Sequence, residues 1–303
     1  MNTNPLVSVV ITTKNEERKI ETCVKSILLQ TYPKEKIEII LVDNNSTDKT
    51  KEIANKYTHK VYDKGPERSA QRNYGLLEKS SGVYLLYLDA DMILSPSVIE
   101  QSVKTFINNG DIVALHIGEV VLGKKYFSKV RRFERGFYDG TVIDGARFFK
   151  KEALQKVNGF DENMTGPEDW DLDKKLKQIG KISLLDFKEN IGENNNWILA
   201  DFIKTTGVDY TKYGSVIFHD ESEFDLRKYL FKKSYYAQSF HAYTTKWGLN
   251  DSDIIKQLGV YYRFCGVFIE DGKWKKVIKS PMLAIGMFSL RFLVGIVYLF
   301  NKK

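Results

Sequence analysis

Cysteine is scarce in this sequence: only Cys23 and Cys265 occur among 303 residues. Both lie among apolar neighbours, so we predict two reduced, buried thiols rather than a disulfide. No set of cysteines and histidines has the spacing of a zinc site. No internal repeat is visible, and no run of lysine and arginine is interleaved with aromatic residues over the length of a nucleic-acid groove. These absences argue against a zinc module and predict a protein with no nucleic-acid partner.

The first five residues lack the basic and then apolar pattern of a secretory signal, so we expect none. Hydrophobic residues make up 43% of the chain, which is typical of a globular protein of one or two domains. The 46 lysines and arginines outnumber the 39 aspartates and glutamates, which gives a net charge of +7. This balance favours anionic partners such as nucleotide phosphates or an acidic membrane surface.

Two acids that follow an apolar run form the most informative segment. Residues 83–88 have the length and side chains of a buried strand, and Asp89 and Asp91 come where that strand ends. Residues two apart on a strand point to the same side, so both carboxylates can face one site. A hard divalent cation that also holds substrate phosphates would offset their repulsion. The alternative is a polar strand end with two solvated acids.

Residues 1–92 alternate between strand and helix patterns. Strands are predicted at 7–12, 37–42, 59–62 and 83–88, and helices at 17–30, 46–57 (with Ser46 or Thr47 as N-cap) and 67–79. This alternation implies βαβ units and a parallel sheet. Polar clusters at 12–16, 43–48 and 89–91 follow three of the strands. Because ligands of such sheets bind beyond the carboxyl ends of the strands, we expect a site at that edge.

The second half of the chain is less regular. It carries one long predicted strand at 111–122 and a predicted loop or insertion at 186–200. Its predicted helices lie at 96–108 (with Ser95 as N-cap and Pro96 first), 151–157, 171–178 and 224–245.

Eight short motifs, in order, match one known family. They lie at 9–16, 26–33, 40–48, 70–75, 87–91, 145–150, 157–162 and 166–172. On these motifs the chain resembles the family-2 inverting glycosyltransferases across roughly residues 7–220. The resemblance implies an α/β protein of the GT-A fold, in which a Rossmann-like βαβ nucleotide-sugar-binding half is fused to a mixed-sheet acceptor half.

The resemblance also implies how a nucleotide-sugar would be bound. Asp43 would accept a hydrogen bond from the base, although a solvated Asx-turn is the alternative. Arg72, helped by Arg68, would reach the diphosphate. Asp89 would bind the ribose or the metal. The donor-binding residues are then Thr12, Asn15, Glu16, Asp43, Arg72 and Asp89.

A divalent cation, Mg²⁺ or Mn²⁺, is the cofactor that the family implies. Asp91 would bind it directly, together with Asp89, and would thereby stabilise the departing nucleoside diphosphate. His219 follows a strand-like run at a place where family members often carry a metal-binding histidine. A structural role is the alternative for this histidine.

Asp169 would be the general base that takes the proton of the acceptor hydroxyl, and Glu168 would orient the acceptor. Both acids precede a predicted helix start, so favourable charges at a helix N-terminus are the alternative. Trp170 could pack beneath the sugar or belong to the core.

The chain departs from the family at two places. Thr12 and Lys14 stand where proline and tyrosine are common, so an aromatic that stacks on the base is missing. The Q-x-x-R-W signature of processive synthases is absent too. We therefore predict transfer of a single sugar from a UDP- or GDP-sugar to a glycan or lipid-linked acceptor.

Residues 282–300 are apolar except for two glycines, a serine, a tyrosine and Arg291. This length approaches that of a membrane span, and Arg291 near its centre would cost about 2.5–3.5 kcal/mol on insertion. Lysines lie on both sides: Lys273, Lys275, Lys276, Lys279, Lys302 and Lys303. We predict association with the cytoplasmic face of the cell membrane, with a buried or oligomer-forming helix as the alternative.

Three parts are therefore predicted: a catalytic domain over 1–222, a helical aromatic-rich extension over 223–279 and a membrane-associating helix over 280–303. Two other functions are considered. A nucleotidyltransferase of the same fold is disfavoured because no glycine-rich phosphate loop is present near the N-terminus. A catalytically silent nucleotide-sugar-binding or scaffold protein would need neither of the two acid pairs.

Overall fold

The computed structural model describes residues 4–185, 197–237 and 239–300. The strands are β1 Val7–Thr13, β2 Ile37–Asp43, β3 Val61–Asp63, β4 Tyr84–Asp89, β5 Met92–Leu94, β6 Ile112–His116, β7 Glu119–Leu122, β8 Phe148–Lys150, β9 Lys181–Leu184 and β10 Ile217–Asp220. The α-helices are α1 Ile20–Leu28, α2 Thr50–Ala54, α3 Arg68–Asn73, α4 Val98–Asn108, α5 Tyr126–Arg135, α6 Lys151–Lys156, α7 Glu168–Lys177, α8 Ala200–Thr205, α9 Leu226–Ala237, α10 Phe240–Trp247, α11 Ser252–Leu258, α12 Val267–Ile269, α13 Trp274–Lys279 and α14 Pro281–Phe300. Short 3₁₀ turns (Lys34–Lys36, Tyr210–Lys212, Glu270–Gly272) and π-helical turns (Tyr74–Lys79, Tyr262–Gly266) join some of them.

A seven-stranded mixed sheet, in the order β3-β2-β1-β4-β8-β6-β9, forms the centre of the molecule. The first four strands are parallel, as the βαβ pattern predicts, and β8 runs antiparallel to β4 and β6. The strand order reverses between β1 and β4. A crevice at such a reversal, beyond the carboxyl ends of the strands, is where α/β sheets bind ligands.

Both faces of this sheet are covered, which is why its parallel strands are nearly continuous apolar runs. Val9 and Ile11 of β1 belong to the same core cluster as Ile20 of α1, whereas Val10 lies in the cluster on the other face with Tyr87. Burying each such side chain contributes about 1.5–3 kcal/mol. The sheet is thus a firm base for the side chains at its carboxyl edge.

A second sheet, in the order β5-β10-β7, packs beside the first. The prediction of one strand over 111–122 was wrong, because the chain breaks after His116 and resumes at Glu119. β6 pairs in the large sheet and β7 in the small one. The break carries Glu119 from one sheet to the other, next to β10.

Helix starts were predicted less well than strands. The N–H of Thr50 donates to Oδ1 of Asp48 at 3.0 Å, and α2 begins at Thr50, so neither Ser46 nor Thr47 is its N-cap. The helix predicted from residue 96 begins two residues later, and the one predicted at 224–245 is two helices, α9 and α10. Of the predicted loop 186–200, residues 186–196 lie outside the described part of the chain.

The two cysteines differ in environment. Cys23 is buried in α1, and burial raises the pKa of its thiol, while Cys265 is exposed; both are free. The prediction of two buried thiols was therefore wrong for Cys265, which lies on a π-helical turn that turns it toward solvent.

Helix α14 packs against α5 and α9 and shares a core cluster with Val130, Phe137 and Tyr138. Arg291 is 6% exposed, and its Nε donates to Oε1 of Glu134 at 3.0 Å while its Nη2 donates to the Tyr138 hydroxyl at 2.5 Å. The insertion cost that was assumed for Arg291 at the centre of a membrane span therefore does not apply here, because Glu134 neutralises this charge inside the protein.

Candidate active site

A cavity of about 1210 Å³ opens at the carboxyl ends of β1 and β4. Its walls include eight of the ten predicted site residues: Thr12, Glu16, Arg72, Asp89, Asp91, Glu168, Asp169 and His219. Acids from β4, from the turn after it and from the start of α7 thus meet in one space, although they are up to 80 positions apart in the sequence.

Asp89 ends β4 and lies among arginines. Its Oδ1 accepts from the Thr12 hydroxyl at 3.0 Å and from Nη2 of Arg72 at 3.4 Å, and its Oδ2 lies 3.9 Å from Nη1 of Arg68. Burial acts to raise the pKa of Asp89, but Arg72 and Arg68 hold it well below its usual range. The carboxylate is therefore ionised and already paired on both oxygens.

Asp91 lies in the turn after β4 and contacts His219 of β10. Nε2 of His219 is 3.2 Å from Oδ2 of Asp91, and its Nδ1 is 2.9 Å from Oε1 of Glu119. Burial acts to lower the pKa of His219, but Asp91 and Glu119 raise it well above its usual range. Strand β10 places the imidazole here because it pairs with β5, which directly follows the turn that carries Asp91.

Within the described ranges, no three or more His, Cys, Asp and Glu side chains are already grouped around a metal position. Oδ1 of Asp91 is nevertheless buried and finds no hydrogen-bond partner among the described residues. This orphaned oxygen fits a cation such as Mg²⁺, which takes one or two protein ligands and completes its shell with substrate phosphates and water. The His219 ring beside it would join the cation only as neutral imidazole, after releasing a proton. Glu119 would then hold the other nitrogen of His219, as carboxylates commonly do behind metal-binding histidines.

Asp169 lies in the first turn of α7 and is held from two sides. Its Oδ1 accepts from the Tyr87 hydroxyl at 2.8 Å and from Nη1 of Arg72 at 3.0 Å. A Cβ at Gly145 would come within 2.7 Å of the Asp169 Cβ, so glycine is needed there for the backbone to pass. Oδ2 makes no hydrogen bond with the described residues, and the side chain is 29% exposed to the cavity.

Glu168 is buried deeper than Asp169. Its Oε2 accepts from the N–H of Gly166, and its Oε1 accepts from Nη2 of Arg68 at 3.3 Å. Burial and the neighbouring Asp169 raise its pKa. Helix α7 begins at Glu168, earlier than predicted, so both acids also gain from the partial positive charge of a helix N-terminus.

The two arginines of α3 differ in access. The Arg72 side chain is 1% exposed, packs 4.2 Å above the Tyr87 ring and pairs with Asp89 and Asp169. The Arg68 side chain is 32% exposed, and its Nη2 donates to the Tyr236 hydroxyl at 2.6 Å. Arg72 therefore ties the two acid groups together, and Arg68 is the better placed of the two for a ligand.

Two predicted donor-binding residues lie outside the cavity walls. Asp43 is fully buried, and its carboxylate accepts from the N–H of Ser46 at 2.6 Å and from the Ser46 hydroxyl at 2.5 Å. Asn15, with φ of 55°, accepts from the N–H of Thr47 at 2.8 Å. Asn15 ties the β1 loop to the β2 loop, whereas Asp43 closes the turn after β2 with both of its oxygens, as in the Asx-turn alternative. The binding of a donor by these two residues stays a prediction.

Glu16 and Trp170 both line the cavity, but their environments differ. Burial, followed by the charge of Asp91, raises the pKa of Glu16, and both acids line the same cavity. The indole N–H of Trp170 donates to the Ile143 carbonyl at 3.0 Å, and its ring packs against Phe240. Trp170 thus belongs mainly to the aromatic core, although one side reaches the cavity.

Sequence reasoning missed Tyr87, Glu119 and Tyr236. Tyr87 and Glu119 had a visible signal, since each is a polar side chain in an otherwise apolar strand. Tyr236 had none, because it lies in the aromatic-rich extension, 168 positions from its partner Arg68.

A family model described as Glycosyl transferase family 2 matches residues 8–161, which are 154 of the 303 residues. The chain is similar to glycosyltransferase AglE of Haloferax volcanii, with 38% identity over 116 residues, and to the hyaluronan synthase of Pasteurella multocida, with 25% identity over 267 residues. The alignments cover 36% and 77% of this chain but only 38% and 26% of those relatives, so the chain spans well under half of their length.

Two solved structures share the architecture. The mannosyltransferase PcManGT from Pyrobaculum calidifontis, in complex with GDP-Man and Mn²⁺, superimposes with a TM-score of 0.59 at 18% identity, over 100% of this chain and 89% of that one. TarS 1–349 of S. aureus, in complex with UDP-GlcNAc, gives 0.52 at 16% identity, over 91% and 79%. At these identities the likeness concerns the fold, and it confirms the predicted GT-A class.

Proposed function

Because this chain belongs to glycosyl transferase family 2, we propose that it transfers one sugar from a nucleotide-sugar to an acceptor hydroxyl, with inversion at the anomeric carbon. One observation carries the proposal: the Asp91–His219 pair and Asp169 line the same cavity, at the point where the strand order of the sheet reverses. The Asp91–His219 pair suits the binding of a metal-bound diphosphate, and Asp169 can accept a proton. A UDP- or GDP-sugar is the proposed donor, because similar structures hold GDP-Man and UDP-GlcNAc.

Asp91 and His219 are proposed to hold Mg²⁺ or Mn²⁺. When bound, the cation supplies charge that stabilises the departing nucleoside diphosphate. Asp89 is proposed to orient the donor through Arg68 and Arg72. We assign the direct diphosphate contact to Arg68, because its guanidinium is exposed to the cavity while that of Arg72 is enclosed.

Asp169 is the proposed general base. The acceptor oxygen attacks the anomeric carbon, the bond from that carbon to the diphosphate oxygen breaks, and the acceptor proton moves to Oδ2 of Asp169. Arg72 and Tyr87 hold Oδ1, so the free oxygen is fixed toward the cavity. Glu168 is proposed to orient the acceptor indirectly, by fixing Arg68 and the Gly166 backbone.

Association with the cytoplasmic face of a membrane is proposed for the C-terminal part. Helix α14 is long and apolar enough to cross a membrane, and 28% of its 281–298 window is buried in the protein. Apolar side chains on its remaining surface, Met282, Ile285 and Phe292, are more than 60% exposed. With Arg291 neutralised on the packed face, we favour a helix that lies in the interface over one that spans.

The division into residues 1–222, 223–279 and 280–303 remains our proposal for the functional parts. The last two share one apolar cluster with α5, so they are proposed to cover the catalytic half rather than to form separate folding units. Deletion after Ser280 would open this cluster. The membrane role is better tested by replacing Met282, Ile285 and Phe292 with glutamine, which should move the full-length protein to the soluble fraction.

The matched control replaces Ile107 and Ile198 with glutamine, because both are comparably exposed but lie in the catalytic half. This control variant should stay with the membrane. Equal fractionation of the two variants would contradict membrane docking through α14.

The catalytic proposal is tested by incubating the purified protein with UDP- and GDP-sugars, sugar-phosphate acceptors and lipid-linked acceptors. The expected result is release of nucleoside diphosphate and an anomeric configuration in the product opposite to that in the donor, read by NMR. Release of pyrophosphate with formation of a nucleotide-sugar would instead identify a nucleotidyltransferase.

A further inference from the structure

The cavity that holds the acids continues into the space between α9, the π-helical turn Tyr262–Gly266 and α14. Its volume of about 1210 Å³ exceeds the roughly 300–1,000 Å³ of most small-molecule pockets. Space therefore remains beside a nucleotide-sugar. Within residues 8–161, the region that the family model matches, only α5 and the segment after it line this continuation. Its other lining residues come later in the chain.

One wall of this continuation is cationic. Nη1 of Arg263 is buried and has no hydrogen-bond partner in the part of the chain that the structure describes. Lys233 has no carboxylate partner among the described residues and contacts the rings of Tyr229 and Tyr236. Burial, followed by repulsion from Arg131 and Arg263, lowers the pKa of Lys233 to about 7. An anion bound between Arg263 and Lys233 would satisfy both groups.

The facing wall belongs to α14 and is apolar except for Arg291, which is paired with Glu134. Leu290, Val294 and Tyr298 line the cavity, together with Gly295. A Cβ built at Gly295 meets nothing within 4 Å, so open space begins at this point of the helix. The other side of the same helix carries the exposed residues proposed above to meet the membrane. Helix α14 thus presents one side to the cavity and the opposite side to the proposed membrane surface.

We propose that this continuation binds the phosphate-linked end of a lipid-linked acceptor. The anionic group lies between Arg263 and Lys233, and the apolar chain runs along Leu290, Val294 and Tyr298. The inference rests on the proposed function, because it assigns a substrate class to the acceptor side of the same cavity. A soluble glycan would use neither the unpaired cations nor the apolar wall.

Farnesyl diphosphate is the probe, because it joins an anionic group to an apolar chain. The full-length protein is first titrated with UDP and with GDP in Mn²⁺; if neither nucleotide binds, the proposed function itself fails, before the acceptor side is tested. The protein is then saturated with the nucleotide that binds, and the probe is titrated by calorimetry. Inorganic diphosphate and farnesol are titrated separately to distinguish the head group from the chain.

Farnesyl diphosphate should bind without displacing the nucleotide, and more tightly than either half alone. Arg263→Met and Lys233→Met should each weaken it at least 10-fold while the nucleotide affinity stays unchanged. Gly295→Phe should weaken farnesyl diphosphate at least 10-fold but not inorganic diphosphate, and Gly295→Ala, the matched control, should change neither.

Three results would overturn the proposal. Competition between the probe and the nucleotide, or unchanged probe binding in both cation variants, would show that no second anion subsite exists. Equal affinity for inorganic and farnesyl diphosphate, with no effect of Gly295→Phe, would contradict the assignment of a lipid-linked substrate.

Discussion

Replacing Asp169 by asparagine should separate chemistry from binding. Asparagine keeps the shape of the side chain, and its carbonyl oxygen can still accept from Tyr87 and Arg72. The variant therefore loses the proton acceptor at Oδ2 while the framework stays. General-base catalysis contributes roughly 10²- to 10⁴-fold, which corresponds to about 3–5 kcal/mol in the activation free energy.

The same change also weakens one charge-assisted hydrogen bond to Arg72. The difference between a charged and a neutral hydrogen bond is about 1 kcal/mol, so the free energy of unfolding should fall by about that amount. Turnover is measured as nucleoside diphosphate release under saturating donor and acceptor, and donor affinity by calorimetry. Tyr87→Phe is the control, because it removes one support of Oδ1 but keeps the base.

The expected pattern for Asp169→Asn is a loss of turnover of at least 100-fold, with donor affinity within about threefold of wild type. Tyr87→Phe should lose far less. Turnover of Asp169→Asn within threefold of wild type would refute the assignment of the base, and a collapse of donor binding would make Asp169 part of the donor site instead.

Three further changes test the framework. Arg291→Met leaves Glu134 buried with one cation fewer, so chemical denaturation should show a loss of about 3 kcal/mol; a neutral result would place Arg291 in solvent or lipid. Glu38→Gln should lower the free energy of unfolding by about 2 kcal/mol at pH 7. Burial acts to raise the pKa of Glu38, but hydrogen bonds led by Lys60 lower it to about 2 from 4.5, so its stabilisation is full above pH 4.5 and is lost as the pH falls toward 2. The difference in the free energy of unfolding between wild type and Glu38→Gln should shrink to zero as the pH falls from 4.5 to 2. A difference that stays constant would contradict this linkage. Gly145→Ala should displace the proposed base and lower turnover at least 10-fold with little change in donor affinity, as the same two assays would show.

The strands at the carboxyl edge of the sheet could be predicted because each is an unbroken apolar run that ends in polar residues. The β4 run and the two acids after it were enough to locate the site at that edge. Parallel pairing followed from the helices between the strands. The resemblance to the family identified Asp91 and Asp169 as neighbours of one cavity.

Long-range electrostatic partners could not be predicted in this way. Arg291 looked like a charge in a membrane helix, because nothing near it in the sequence reveals Glu134, 157 positions away. For Asp43 the sequence left a base contact and an Asx-turn open, since it does not tell whether the Ser46 turn folds back onto the carboxylate. Glu119 was read as part of one long strand, and the break before it depends on pairing with β10.

The most direct test of the central claim is the metal dependence of sugar transfer. Nucleoside diphosphate release from the preferred donor is measured for the wild type and for Asp91→Asn, first in excess chelator and then after Mn²⁺ or Mg²⁺ is restored. Wild-type turnover should disappear in chelator and return with the cation, whereas Asp91→Asn should stay inactive in both. Full wild-type turnover in chelator, or an Asp91→Asn variant that responds to the cation like the wild type, would contradict that claim.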